Sequence, residues 1–282
     1  MRFEKWQALG NDYIIVEQRE LRFELTPERI RLLCAVHTGV GSDGVLLLSD
    51  ASEPGFVASL RIFNPDGSEA ELSGNGAREA ILYLRRNGWT DQDEFSIETA
   101  AGEIRPVITG PDTCKVDMGR ASTRGKDFPG GGEDGRGKLE SAGREFEFQF
   151  VSIGNPQCAI EIGDDELEQL DLGLYGPRIE NNELFPNRTN ASFWRREDDG
   201  EITARIFERG VGETMASGTG ASGAAVAAVL RGAASPVTVH LDGGDLEVEV
   251  GEDLKVNLTG WAKPVYSGTL SDELLEELRE AQ

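Results

Sequence analysis

The sequence predicts an α+β fold of two duplicated domains related by pseudo-two-fold symmetry, each a mixed or antiparallel β-sheet wrapped around a central apolar helix. Three observations support this prediction: an internal repeat spanning half the chain, short alternating segments typical of strands, and two apolar helices that each follow a glycine-rich turn.

The repeat has an offset of 144 residues in a chain of 282. Residues 61–77 and 205–221 match at 8 of 17 positions, and the same offset aligns residues 9–11 with residues 153–155. Two later segments match in the same order, with offsets of 142 and 140. Four ordered matches indicate that the chain contains two copies of one unit.

The copies set the expected domain boundaries. We expect an N-terminal copy over residues 1–120 and a C-terminal copy over residues 121–262. The tail, residues 263–282, follows the end of the second copy, so we expect it to return to the first domain.

Within the first copy the elements follow in order. Residues 3–17 have the aromatic and β-branched composition of strands broken by a turn at 10–12. Thr26 followed by proline is typical of a helix start and predicts an amphipathic helix over residues 26–37. Residues 57–63 alternate in polarity, as a half-buried strand does.

Turns and the chain end complete the pattern. Residues 99–103 and 241–245 indicate equivalent hairpin turns in the two copies. The glycine-rich and charged segment 125–137 predicts a mobile loop. The tail contains a short strand pattern at 265–266 and an acidic helix over residues 272–280.

Each glycine-rich turn leads into an apolar helix, over residues 77–86 and 221–231. The second has almost no polar face, which predicts that it is buried. Ser73 and Ser217 precede the helices at equivalent positions, and a serine there is most often only an N-cap. The unpaired N–H groups of a helix N-terminus, approached closely through glycine, can also bind a carboxylate or a phosphate.

The composition narrows the classes of partner. The chain has 51 acidic and 28 basic residues, a net charge of −23, which argues against binding nucleic acid or an anionic membrane. The longest apolar run has about seven residues, too few for a membrane span. With no apolar targeting segment at the N-terminus, the expected location is the cytoplasm.

The lysine content leaves two interpretations open. Only 6 of the 28 basic residues are lysine. This balance suits a protein that stays soluble in concentrated salt, and it is equally typical of ordinary acidic solubility with a codon bias towards arginine.

The cysteines and histidines do not form a recognisable cluster. Cys34, Cys114 and Cys158 lack metal-ligand spacing, and their odd number favours reduced thiols over a disulfide framework. His37 and His240 lie outside every motif found. We therefore expect no metal site and no histidine-based catalytic triad.

The motifs around these turns resemble diaminopimelate epimerase across nearly the whole chain. The segments that carry the resemblance are residues 9–12, 61–68, 74–78, 154–156, 208–214 and 218–221. The resemblance implies a duplicated fold and a homodimer that requires no cofactor or metal. It also implies interconversion of LL- and meso-diaminopimelate, a small-molecule substrate on the route to lysine and peptidoglycan.

Such a reaction removes a proton from one face of an α-carbon and returns one to the other, so it needs two acid/base groups. The family places a cysteine for this purpose at each helix N-terminus, where the thiol pKa is lowered. Here the two positions are occupied by Ser73 and Ser217, and the family's histidine after Asn-Pro is Gln157. A serine needs an activating partner, and Glu208 is the nearest carboxylate candidate.

Three explanations of these departures stay open. The chain is an epimerase that works with serines, or the serines were introduced by mutation to trap substrate, which would not explain Gln157. Alternatively its chemistry has changed, making it a related racemase or dehydratase or an amino-acid-binding protein. We favour the epimerase.

The resemblance also supplies candidate residues. The candidate catalytic residues are Ser73, Ser217 and Glu208. Asparagine side chains are expected to bind the substrate's carboxylates and amines, backbone N–H groups its reacting carboxylate, and an adjacent Glu-Arg pair its distal end. The substrate-binding candidates are Asn11, Asn64, Gly74, Asn75, Asn155, Asn190, Glu208, Arg209, Gly218 and Thr219.

Overall fold

The computed structural model describes residues 1–71, 73–163 and 166–281, and the chain divides into two compact units. The first unit comprises Met1–Val116 and Trp261–Gln282, and the second comprises Asp117–Gly260. The chain therefore crosses between the units twice. Among the described residues, no helix is both long and apolar enough to cross a lipid bilayer.

The first unit contains both chain ends. Its strands are β1 (Arg2–Ala8), β2 (Asn11–Glu17), β3 (Val45–Ser49), β4 (Ala58–Phe63), β5 (Glu69–Ala70), β6 (Ile97–Thr99), β7 (Gly102–Ile104) and β8 (Pro106–Gly110). Strand β9 (Thr113–Arg120) leads out of the unit. Its helices before this exit are α1 (Pro27–Cys34) and α2 (Gly74–Arg86).

The second unit repeats this order. Its strands are β10 (Arg136–Ser141), β11 (Arg144–Ser152), β12 (Pro156–Glu161), β13 (Asn190–Asp198), β14 (Glu201–Glu208), β15 (Gly212–Thr214), β16 (Val237–Leu241), β17 (Gly244–Val250) and β18 (Lys255–Trp261). Its helices are α3 (Leu172–Glu180) and α4 (Gly218–Leu230).

The C-terminal tail belongs to the first unit. Strand β19 (Lys263–Thr269) pairs antiparallel with β1, and helix α5 (Asp272–Glu280) follows it. Leu278 of α5 is fully buried in a core cluster that also contains Ile30 and Leu33 of α1. The tail thus completes both the sheet and the core of this unit.

The main sheets of the two units have the same strand order. The shared order is β19-β1-β2-β3-β4-β6-β7 in the first sheet and β10-β11-β12-β13-β14-β16-β17 in the second, which then continues with β18-β9-β8. Strands β5 and β15 pair with β4 and β14. The parallel pairs also occupy equivalent places, β2 with β3 and β4 with β6, and β12 with β13 and β14 with β16. These mixed sheets confirm the predicted α+β fold with duplicated domains.

Helices α2 and α4 are related by the offset of 144 at both ends. Every residue of α4 from Gly220 to Ala228 is buried, and the helix packs against six neighbouring strands, β11–β14, β16 and β17. An apolar helix inside a curved sheet is thus the centre of the second unit, as its composition predicts. Both helices begin earlier than predicted, since Gly74 and Gly218 are already helical.

Two local expectations were less accurate. Helix α1 is capped by Thr26 as expected but ends at Cys34, before His37. The backbone N–H groups of Val40 and Gly41 both donate to the carbonyl of Leu33, which turns the chain back at that end. The segment 125–137 has no regular structure before β10, but Phe128 within it is buried among aromatic side chains of the second unit.

Candidate active site

The Ser73 site lies in the first unit at the start of α2. Ser73 is the N-cap, with extended backbone, and its Oγ accepts the backbone N–H of Gly76 at 3.1 Å. The hydroxyl of Tyr13, on β2, donates to the same Oγ at 3.2 Å. Ser73 is therefore both a helix cap and the partner of a phenol, which the sequence analysis did not single out.

The Ser217 site lies in the second unit at the start of α4. Ser217 is also an extended N-cap, and its Oγ accepts the N–H of Gly220 at 3.2 Å. Its hydroxyl donates to Oε2 of Glu208 at 2.9 Å, and the hydroxyl of Thr214 donates to Oε1 of the same carboxylate at 2.9 Å. Glu208 at the end of β14 is thus a carboxylate that accepts the proton of the serine hydroxyl in a hydrogen bond.

Burial affects the Glu208 carboxyl directly. Loss of solvent around the side chain raises the pKa of Glu208 above its usual value, while its hydrogen bonds from Thr214 and Ser217 act in the opposite direction. A raised pKa makes this carboxylate a stronger base, and a hydrogen bond already connects it to Ser217.

A hydrogen-bonded pair that includes a predicted binding asparagine lies at equivalent positions in the two copies. The side chain of Asn75 donates to Oδ1 of Asn11 at 3.2 Å, and the side chain of Asn155 donates to the hydroxyl of Thr219 at 3.2 Å. Asn11 corresponds to Asn155, and Asn75 to Thr219, at the offset of 144. Each pair joins a strand start to the first turn of the central helix.

Helix geometry leaves the first N–H groups without intrahelical acceptors. These are the N–H groups of Gly74 and Asn75 in α2 and of Gly218 and Thr219 in α4. They are the candidate donors to a substrate carboxylate, and the positive end of the helix dipole lies at the same place.

Three further predicted binding residues also have protein partners. Asn190 is buried, its side chain donates to the carbonyl of Pro156 at 3.1 Å, and its Oδ1 accepts the N–H of Arg209 at 2.8 Å. Arg209 itself donates from Nη1 to the carbonyl of Asn187 at 2.9 Å. Asn64, in a turn of the first unit, donates to the hydroxyl of Ser68 at 3.0 Å. In this structure Asn190 supports the turn that carries Glu208 and Arg209.

The buried carboxylate of Glu180, which no sequence pattern indicated, supports that turn as well. Glu180 of α3 accepts the N–H of Gly210 at 2.9 Å and pairs with Arg188 at 2.8 Å. Its position on a different element, thirty residues from the turn, gave no local signal for this role.

The three cysteines are not placed as substitutes for the missing thiols. Cys34, Cys114 and Cys158 are all buried and free, and burial raises the pKa of each thiol. A raised pKa opposes thiolate formation. Within the described ranges, no group of three or more His, Cys, Asp or Glu side chains is arranged to hold a metal ion.

Known proteins that resemble this chain match both of its copies. The family model for diaminopimelate epimerase matches residues 3–124 and 149–264, most of both copies. The chain belongs to the diaminopimelate epimerase family. The two matched stretches each contain one serine site.

Curated members of the family match over almost their full length. Diaminopimelate epimerase 2 of Nostoc sp. is 40% identical over 279 residues, which is 97% of each chain. Diaminopimelate epimerase of Desulfitobacterium hafniense is 40% identical over 288 residues, 98% of this chain and 100% of the relative.

Solved structures with low sequence identity share the fold. A phenazine biosynthesis protein of the PhzF family from Bacillus anthracis has a TM-score of 0.67 at 19% identity, covering 96% of this chain and 99% of its own. A probable proline racemase from Agrobacterium radiobacter has a TM-score of 0.69 at 15% identity, covering 96% and 93%. Their likeness concerns architecture alone.

Proposed function

We propose that this protein is an isomerase that interconverts LL- and meso-diaminopimelate, with Ser73 and Ser217 as its acid/base groups. Identity of 40% over nearly the whole chain to curated diaminopimelate epimerases supports this reaction and does not favour the racemase, dehydratase or binding-protein alternatives. The observation that carries the mechanism is the hydrogen bond from Ser217 to Glu208, because it gives a hydroxyl its own base.

The bond between the substrate α-carbon and its hydrogen breaks, and the proton passes to Oγ of Ser217 while the hydroxyl proton of Ser217 passes to Oε2 of Glu208. The electron pair stays on the substrate and spreads onto its carboxylate. Helix N–H groups stabilise that negative charge, and Ser73 returns a proton to the opposite face.

The remaining substrate contacts are assigned by chemistry. The N–H groups of Gly74, Asn75, Gly218 and Thr219 bind the reacting carboxylate, since helix N-termini favour anions. Asn11, Asn64 and Asn155 present amide groups for the substrate's polar ends. Arg209 binds the distal carboxylate as a fork, whereas Glu208 and Asn190 serve the catalytic turn.

Exchange of the α-proton tests the reaction directly. Purified protein is incubated with LL-diaminopimelate in deuterated water, and deuterium at the α-carbon is followed by NMR. We expect exchange in the parent protein and a loss of about 100-fold or more in Ser217→Ala. The matched control is Ser222→Ala, which removes a buried hydroxyl of the same helix that donates to the carbonyl of Gly218. Equal rates for the two variants would contradict the role of Ser217.

The assembly and location are separate parts of the proposal. Family resemblance supports a homodimer that acts in the cytoplasm. Sedimentation equilibrium of the purified protein tests the first statement, and a mass of about one chain at micromolar concentration would contradict it. Fractionation of the source cells tests the second.

A further inference from the structure

We propose that Tyr13 is a positioning residue that supplies Ser73 with its proton, so that the Ser73 site is built as a proton donor and the Ser217 site as a proton acceptor. This inference rests on the proposed function and deepens it, because it gives the two chemically weak serines different ionisable partners.

Hydrogen bonds at Ser73 favour donation to a substrate. Tyr13 is buried, and its hydroxyl and the N–H of Gly76 both donate to Ser73 Oγ, at 3.2 and 3.1 Å. With two donors directed at the oxygen, the hydroxyl hydrogen of Ser73 is left to point towards another acceptor. A carbanion on the substrate is such an acceptor.

At Ser217 the bond to the ionisable side chain runs in the opposite direction, from the serine to its partner. There the hydroxyl hydrogen is directed to the carboxylate of Glu208, and the Oγ accepts the N–H of Gly220. An oxygen whose own proton already points at a base is arranged to receive a proton. The two serines cap their helices in the same way, but only at Ser217 is the hydroxyl proton directed to a protein carboxylate.

The repeat shows where this difference arises. At the offset of 144, Tyr13 corresponds to Gln157 and Asn64 corresponds to Glu208. Each copy thus has one ionisable and one amide side chain at these two positions, but the positions are exchanged. In the second copy the amide of Gln157 donates to Asn155 at 2.6 Å, and the carboxylate serves the serine.

The step balances in protons and electrons. As the substrate carbanion forms its new bond to hydrogen, the proton leaves Ser73 Oγ, and the phenol proton of Tyr13 passes to that oxygen. Tyr13 becomes a phenolate, and Glu208 has gained the proton removed from the other face. Turnover in the opposite direction, or exchange with water, restores both groups. Phenols as a class have a pKa of about 10, far below that of an aliphatic hydroxyl.

Other titratable groups lie near Tyr13. Glu79 of α2 is buried, and Asp12 and Asp43 lie at the adjacent strand starts, where Asp12 pairs with Lys5 at 3.1 Å. A substitution that changes only the acidity of the phenol ring leaves these three side chains in the sequence, so it tests the contribution of Tyr13 itself.

The first test removes the hydroxyl. Tyr13→Phe is expected to lower kcat for epimerisation about 100-fold with KM changed less than about twofold, because the phenol serves proton transfer and does not touch the substrate. The matched control is Tyr83→Phe, whose hydroxyl donates to Glu17 in the same unit at 2.8 Å. It is expected to retain kcat within about threefold.

The second test separates proton supply from packing. In Ser73→Cys the thiol titrates by itself near neutral pH, so adding Tyr13→Phe is expected to cost less than about threefold. In the parent, kcat is expected to fall at alkaline pH, on the alkaline limb of its pH profile. Site-specific 3,5-difluorotyrosine at position 13 is expected to move that limb to lower pH. A structural role would leave that limb in place.

The outcomes are distinct. An unshifted alkaline limb, or a Tyr13→Phe variant as active as Tyr83→Phe, overturns the role of Tyr13 while the proposed function stands. A parent protein that binds diaminopimelate but exchanges no α-proton overturns the proposed function and this inference with it.

Discussion

At the scale of single residues, each serine cap is hydrogen-bonded to one ionisable side chain. Ser217 is nine residues from Glu208 along the chain, whereas Ser73 is sixty residues from Tyr13. The first contact connects the end of one strand to the next helix, and the second requires that β2 and α2 pack together. The two serine hydroxyls therefore have partners of different chemistry, a carboxylate and a phenol.

The pKa of Glu208 predicts a pH dependence. Because burial raises this pKa, the carboxylate loses its basic form as the pH falls through a value above the usual range for glutamate. We expect kcat/KM of the parent to decline on that acid limb and to be higher above it. Glu208→Gln is expected to lower kcat/KM by about 10²–10⁴-fold and to flatten the limb.

The matched control is Glu213→Gln, which changes a carboxylate of the same turn that pairs with Arg205. It is expected to retain both the rate and the acid limb. The measurement is the initial rate of epimerisation from LL-diaminopimelate between about pH 4 and pH 9. An acid limb that survives in Glu208→Gln would contradict the assignment of the base.

At the scale of elements, the fit of α4 into its sheet depends on small residues. Gly223 lies on the side of α4 that meets β12, and a Cβ at this position would lie 2.8 Å from both Cβ and Cγ of Gln157. These are not the mobile end of the side chain, so the strand and helix would have to separate. The close packing of α4 thus fixes the position of Gln157.

Gly223→Ala is therefore expected to lower the free energy of unfolding by about 1–3 kcal/mol, because overpacking a filled core forces backbone shifts. Urea unfolding followed by circular dichroism measures it. The control is Gly130→Ala, where a Cβ would meet no atom within 4 Å. It should change stability by no more than about 0.5 kcal/mol. Equal stability of both variants would show that α4 can move away from β12.

The sequence predicted these elements better than their ends. Alternation located β4, and the proline after Thr26 located the start of α1. The end of α1 at Cys34 was missed because it depends on backbone hydrogen bonds from the following loop to Leu33. A local pattern does not contain the path of that loop.

At the scale of the whole molecule, charge is the dominant feature. The net charge is −23, because acidic residues outnumber basic ones. Many of the basic residues form exposed ion pairs, such as Arg61 with Glu69 and Arg120 with Asp253. Pairs of this kind contribute little individually. The excess carboxylates repel one another over a distance that salt controls.

We expect the free energy of unfolding to rise by about 1 kcal/mol or more when KCl increases from 0.1 to 1 M. Over this range the screening length falls from about 10 Å to about 3 Å, which weakens repulsion in the folded state. Urea unfolding at each concentration measures the change. Unchanged or lower stability at 1 M KCl would contradict the interpretation as a salt-adapted protein and favour ordinary acidic solubility.

The duplication, the central helices and the two serine caps follow from the sequence alone, because repeats and local periodicity are properties of the chain. The partner of each serine was decided by tertiary structure. Position 13 reaches the cap in the first copy and position 208 in the second, although 13 aligns with 157 and 208 with 64. This choice depends on side-chain type and on how the strands pack against the helix. The same packing gives Asn190 its two protein partners, Pro156 and Arg209. Hydrogen-bond direction at a serine requires the positions of both neighbours, and only the folded chain contains them.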